Sequence, residues 1–190
     1  MKYGQFRNLS EQQLVDCAGA FDNNGCEGGL PSHAFEYLLY AGGLTTEAQY
    51  PYKAVDQACQ LKAGMQSVGI VGGSVNISTN EVDLQKAIFE HGPVSVAFDV
   101  LDDFEEYESG IYANSTCPNG AMDVNHAVVA VGWGTEKGVD YWVIKNSWST
   151  NWGEDGYFRM QRGVNMCGIV NCNSYPVDVI DLTPPSALIQ

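Results

Sequence analysis

The dipeptide Gly92-Pro93 divides this sequence into two textures, and that division constrains the fold more than any other feature. Before it, apolar residues recur at helical spacing; after it, they alternate with polar ones at a period of two. Ser10-Glu11-Gln12-Gln13 reads as a capping box, with Ser10 as N-cap and Gln13 reaching back, and starts a short helix through Cys17. Residues 25–29 form a tight turn. Leu30-Pro31-Ser32 opens a second helix that buries Phe35, Leu38 and Leu39 and stops at Gly42-Gly43. Residues 44–75 read as loop. Asn80 caps a third helix with Val82, Leu84, Ala87 and Ile88 as its apolar positions. Beyond Pro93, Val94, Val96 and Phe98 alternate with Ser95, Ala97 and Asp99, and residues 127–133, 140–146 and 156–162 are further strands. Helices first and antiparallel strands later is an α+β order in two lobes.

With 9 basic against 23 acidic residues, a net charge of −14 argues against nucleic acid or an anionic membrane as a partner. An acidic surface repels itself least at low pH, which fits an acidic compartment. No apolar run reaches the roughly 20 residues of a membrane span, and residues 1–7 lack the apolar core of a secretory signal as they stand. The six cysteines include no zinc-type pair, and their wide spacing favours disulfides and an oxidising lumen. Sequons at Asn8, Asn76 and Asn114 agree with a secretory route.

The chemistry turns on His126. A histidine at the mouth of an apolar strand can be a satisfied core residue, a metal ligand or a base. His126 and Asn146 lie ten residues to either side of Glu136, so an even hairpin sets them opposite each other on one face. Asn146 would then hold one ring nitrogen and leave the other free as a base. The same spacing also suits two residues that only satisfy each other at a strand end.

Six segments, "LSEQQLVDC", "GCEGG", "YPY", "GPVSVAF", "VNHAVVAVGWG" and "YWVIKNSWSTNWGEDGYF", resemble the papain-like cysteine peptidases in order and spacing. "SVNIS", "DVNHAV" and "NMCGIVNCNSYPV" resemble the cathepsin H and aleurain branch. The resemblance implies an α+β, papain-like two-lobe fold: a truncated helical lobe over 1–75, an antiparallel β-barrel lobe over 76–177 and a loose tail over 178–190. It implies His126 as general base and acid, Asn146 as the residue orienting its ring, and Trp148 as the indole covering that contact. Gly28 and Gly29 match the turn that pairs with extended substrate. Leu30, Pro31, Ala97, Val124 and Ala127 match positions lining the pocket for the substrate's second residue from the cut.

The family's nucleophile has no match here. Its cysteine precedes the histidine by about 130–150 residues, and no "CGSCW"-like stretch occurs in these 190 residues. The expectation is therefore a chain lacking the N-terminal segment, the central helix and the oxyanion glutamine. The resemblance pairs Cys17 with Cys59 and Cys117 with Cys167. It leaves Cys26 and Cys172 unpaired in the chain, with Cys172 matching the cysteine that ties down a propeptide-derived peptide. Substrates are peptides or proteins, with no metal or organic cofactor. The compartment is lysosome, vacuole or the extracellular space, given a missing prepro-region. Ser149 stands where the family shows glycine and should strain its turn. Alternatives are a non-catalytic homologue that binds peptides or proteins, and an incomplete gene model.

Overall fold

The computed structural model describes residues 7–65, 68–70, 72–121 and 123–182. Residues 1–6, read above for a secretory signal, lie outside these, as do residues 183–190 of the expected tail. In chain order the helices are α1 (Glu11–Cys17), α2 (Pro31–Ala41), α3 (Glu81–His91) and α4 (Asp102–Glu105). The strands are β1 (Val68–Ile70), β2 (Ser74–Asn76), β3 (Val94–Phe98), β4 (Ile111–Tyr112), β5 (His126–Glu136), β6 (Val139–Lys145), β7 (Tyr157–Gln161), β8 (Ser174–Pro176) and β9 (Val179–Asp181). The chain divides into one unit of residues 1–75 and 176–190 and a second of residues 76–175.

In the first unit Ser10 caps α1 as its sequence dictates, its Oγ accepting from the Gln13 N–H at 3.0 Å and donating to the Tyr50 carbonyl at 2.6 Å. Gln13 does not reach back. Its fully buried side chain donates to the Gly43 carbonyl and Tyr37 Oη and accepts from the Thr45 N–H at 2.8 Å. A buried amide must use both ends, and the Gly43–Thr45 backbone offers Gln13 more partners than one cap N–H. Pro31 occupies the first turn of α2, where its missing N–H costs nothing. Tyr37 and Leu38 are the buried residues of α2, Phe35 is half-buried, and Leu39 is exposed. The Cys17–Cys59 disulfide ties the end of α1 to the following loop.

Two short strands appear in residues 44–75, which read as loop, because three-residue strands carry too little alternation to register. One of them corrects the expected tail: β9 pairs antiparallel with β1 in the register Val68↔Asp181 to Ile70↔Val179. Val179 and Ile180 gain partial burial there, and Asp181 meets Arg7 at 2.7 Å.

In the second unit Asn80 caps α3, its Oδ1 accepting from the Val82 N–H at 2.7 Å, and Leu84, Ala87 and Ile88 are buried. Val82 is 70% exposed, so the buried stripe is narrower than expected. Asn76 opens the sheet of this unit, ordered β2-β8-β3-β5-β6-β7-β4. The end strands β2 and β4 do not pair, and β4 runs parallel to β7, so the expected barrel is an open sheet. A two-residue strand leaves too few backbone groups to close it. One core joins the buried side chains of α3 to Val94, Val96, Phe98, Trp142, Ile144 and Phe158. The Cys117–Cys167 disulfide closes a span of 50 residues, which the chain-entropy estimate values at about 4 kcal/mol.

Glu81, at the start of α3, clamps this core to the turn after β7. It accepts from the backbone N–H groups of Gly163 at 2.6 Å and Asn165 at 2.5 Å and from Trp142 Nε1 at 3.2 Å. Glu81→Ala strands three donors, one of them on a fully buried indole. The expected loss is about 2–3 kcal/mol, read as a lower urea midpoint at unchanged m-value. An unchanged midpoint would mean that water replaces all three bonds.

Candidate active site

His126 begins β5 and Asn146 follows the last residue of β6, but the hairpin joining them is not the even one expected. Its turn is Lys137-Gly138, with φ of 52° and 81°, the left-handed pair that a two-residue hairpin requires. From Glu136↔Val139 the register runs back to Gly132↔Val143, and a β-bulge then shifts it to Ala130↔Ile144 and Val129↔Lys145. Continued without the bulge, the register would put His126 and Asn146 three positions apart and on opposite faces. The extra residue makes the offset two, so they are diagonal neighbours on one face. The expected pair of side chains is therefore present, reached by a different register.

His126 Nε2 lies 2.9 Å from Asn146 Oδ1. The Ser147 N–H also donates to that atom at 2.8 Å. A backbone N–H can only donate, so the shared atom must be the amide oxygen, and His126 Nε2 must carry the proton. Nδ1 is then the nitrogen with the lone pair. Asn146 is 8% exposed, and its Nδ2 is buried with no partner among the described residues. The Asn146 N–H donates to the Gly156 carbonyl at 2.9 Å, which anchors the loop where β6 ends.

Aromatic rings hold the imidazole from two sides. Trp148 stacks on it with centroids 5.1 Å apart and planes 29° apart, and Phe98 meets it edge-on at 5.8 Å. Phe98 is directly opposite His126 across β3 and β5 and is fully buried. Trp148 in turn stands against Trp152 at 5.0 Å, and Trp152 Nε1 donates to the Glu105 carbonyl at 2.9 Å. Sequence reasoning found Trp148 and missed the supporting roles of Phe98 and Trp152. The alternation of β3 had already turned Phe98 inward, whereas nothing local distinguishes Trp152 from a surface indole. The arrangement leaves Nδ1 as the nitrogen that can take a proton while Asn146 fixes Nε2–H.

Ala97 and Ala127 are also direct partners, on the face of β3 and β5 opposite to Phe98 and His126. Ala97 is buried, Val124 half-buried and Ala127 exposed. In the other unit Gly28 adopts φ 100°, Gly28, Gly29 and Leu30 are exposed, and Pro31 is half-buried. An added Cβ at Gly28 would meet nothing within 4 Å, so only its φ demands glycine there. Cys17–Cys59 and Cys117–Cys167 are formed, and Cys26 and Cys172 are free. Cys26 is exposed, yet desolvation and then the Asp56 carboxylate push its thiol up. No group of three or more His, Cys, Asp or Glu among the described residues is arranged to hold a metal.

Comparison with known proteins decides the family. The model of the papain family cysteine proteases matches residues 1–177. The chain belongs to that family. It is 54% identical over 176 residues to a pro-cathepsin H of Medicago truncatula, covering 92% of this chain and 50% of that one. It is 55% identical over 177 residues to the thiol protease aleurain of Arabidopsis thaliana, covering 92% and 49%. Against pro-cathepsin H of Mus musculus it is 49% identical over 175 residues, covering 92% and 52%. The chain thus spans about half the length of these curated relatives. Among solved structures, procathepsin L 3 of Tenebrio molitor matches with TM-score 0.86 at 38% identity, covering 92% of this chain and 57% of that one. Bromelain of Ananas comosus, in complex with the E64 inhibitor, matches with TM-score 0.82 at 37% identity, covering 92% and 80%. The fold is papain-like, mixed α+β, and its high-identity relatives are cathepsin H and aleurain thiol proteases.

Ser149, expected to strain its turn, adopts φ 74°, a left-handed conformation costly for a residue with a Cβ. Its Oγ recovers little, accepting from the Asn151 N–H at 3.3 Å. Ser149→Gly should raise stability by about 0.5–1 kcal/mol, read as a higher thermal midpoint. A lower midpoint would show that the hydroxyl outweighs the strain.

Proposed function

We propose that this chain supplies the base and its orienter to a peptidase working by Cys-His-Asn chemistry on peptides or proteins. The observation carrying this reading is the imidazole of His126, with Nε2 fixed by Asn146, Nδ1 free, and Trp148 stacked on its face. In the reaction Nδ1 takes the proton of a cysteine thiol, and the thiolate attacks the substrate carbonyl carbon. As the C–N bond breaks, the imidazolium returns that proton to the leaving amine. Water, deprotonated by the same nitrogen, then cleaves the thioester. Asn146 holds the ring through both proton transfers, and Trp148 keeps water from competing for its bond. Gly28 and Gly29 are proposed to pair with extended substrate, and Ala97, Val124 and Ala127, like Leu30 and Pro31, to contact its second residue from the cut.

The nucleophile is proposed to lie outside the 190 residues, in which no "CGSCW"-like stretch occurs. Cys26 is proposed as a bystander, since a thiol pushed up in pKa is a poor source of thiolate. Cys172 is proposed to tie a propeptide-derived peptide, which would favour aminopeptidase over endopeptidase action. The compartment is proposed as a lysosome or vacuole, in keeping with the acidic surface. No helix among the described residues is long and apolar enough to cross a membrane.

The test compares the 190-residue chain with the same chain joined to the cysteine-bearing N-terminal segment of a relative. The chain alone should neither cleave peptides in a thiol-dependent way nor be labelled by epoxide inhibitors, and the joined protein should do both. Cleavage by the chain alone, stopped by Cys26→Ser, would overturn the bystander assignment. An inert joined protein that still binds peptides would favour the non-catalytic homologue.

A further inference from the structure

Three sequons run through the chain, and the fold treats them differently. In Asn8-Leu9-Ser10 the hydroxyl residue is 1% exposed, its Oγ used up by the α1 cap and the Tyr50 carbonyl. That triplet is explained by helix capping alone. In Asn114-Ser115-Thr116 neither hydroxyl residue has a structural task in the core: both are exposed, on the loop that follows β4. Thr116 serves only its own turn, its N–H and Oγ donating to Asn114 Oδ1 at 2.9 and 2.7 Å. Asn114 Nδ2 donates to Asp103 Oδ2 at 3.0 Å. An asparagine amide has two N–H bonds, and this contact engages one of them.

A second observation lies beside it. A depression of about 420 Å³ opens at Asn114 and is lined also by Asn119, Gln161, Val164 and the disulfide residues Cys117 and Cys167. Its size lies within the roughly 300–1,000 Å³ of small-ligand sites. Val164 is 49% exposed at its edge, an apolar surface flanked by the amides of Asn119 and Gln161. That combination suits an acetamido sugar, which offers a methyl and ring face together with hydroxyl and amide groups.

We propose that Asn114 carries an N-linked glycan whose first N-acetylhexosamine lies in this depression and covers the Cys117–Cys167 disulfide. In the transfer, Asn114 Nδ2 forms a bond to the sugar C1 while the bond from C1 to a lipid-linked diphosphate breaks. The diphosphate leaves with the bonding pair, and the displaced amide proton passes to the transferring enzyme. The remaining Nδ2–H keeps its bond to Asp103. The inference rests on the secretory routing proposed above, and Asn76, exposed on β2 with Ser78 also exposed, serves as its control.

The protein from its natural source should yield a glycopeptide occupied at Asn114, which peptide N-glycosidase converts to aspartate. Releasing the glycan from the folded protein should speed reduction of Cys117–Cys167 roughly five-fold, because exchange depends on access to the sulfurs. Cys17–Cys59, in the other unit, should be unaffected. Thr116→Ala, made in a eukaryotic secretory host, should match the deglycosylated protein while retaining Asn114. Asn114 unoccupied with Asn76 occupied overturns the proposal and leaves the routing intact. Both sites unoccupied overturn the two together, and occupancy with no change in reduction rate overturns the packing of the sugar.

Discussion

His126→Ala, in the chain joined to a cysteine-bearing segment, should lower kcat by about 10⁴–10⁶-fold. Among the described residues, none in contact with the ring can take its place. The rings around it, Trp148 and Phe98, accept no proton, and Asn146 is neutral with its oxygen already shared between two donors. Without the base the nucleophile must ionise unaided and the leaving amine departs without a proton, so both chemical steps suffer. Substrate contacts proposed for Ala97, Val124 and Ala127 are left in place, so KM should move far less than kcat. A variant with kcat within ten-fold of the parent would exclude His126 as the base.

The second large effect is expected at Asn146 and should be smaller. Asn146→Ala leaves the imidazole in place, still pressed between Trp148 and Phe98, but without the acceptor that fixes Nε2–H. The other tautomer then becomes accessible, and it puts the proton on Nδ1, where the base must be bare. A loss of about 10²–10³-fold in kcat is expected, the scale of a positioning bond to a general base. The Ser147 N–H also loses its partner, at a stability cost of about 1–3 kcal/mol. In the proposed mechanism Asn146 acts only through the imidazole, so the double variant His126→Ala, Asn146→Ala should be no slower than His126→Ala alone. Additive losses in the double variant would mean that Asn146 touches the reaction by another route.

Much of the local structure of both units was legible in the sequence. Val94, Val96 and Phe98 alternate because a strand with one face on a core must alternate, and the structure buries all three. Asn80 and Ser10 announce their helices because an oxygen-bearing side chain is what a helix N-terminus lacks. The ends of α2 and α3 follow from glycines at positive φ. These are local requirements, met within a few residues of where they arise.

Where the sequence misled, the deciding partner lay far along the chain. Gln13 was a plausible half of a capping box until Gly43 and Thr45, some 30 residues on, offered its buried amide both an acceptor and a donor. Val179–Asp181 looked loose until Val68, Gly69 and Ile70 supplied an edge for β9. The barrel expected from the family's order of strands is open, because closure depends on whether the two end strands meet.

The pairing of His126 with Asn146 separates the two kinds of knowledge most clearly. Their residue types and the order of the segments around them were enough to identify the family and the two side chains. How they meet was not: a Lys137-Gly138 turn and a one-residue bulge act together, each shifting the register by an amount that no hydrophobic pattern records. Local sequence states what each residue requires of its immediate surroundings. Which distant group meets that requirement is settled only when the backbone hydrogen bonds of the whole sheet are made together.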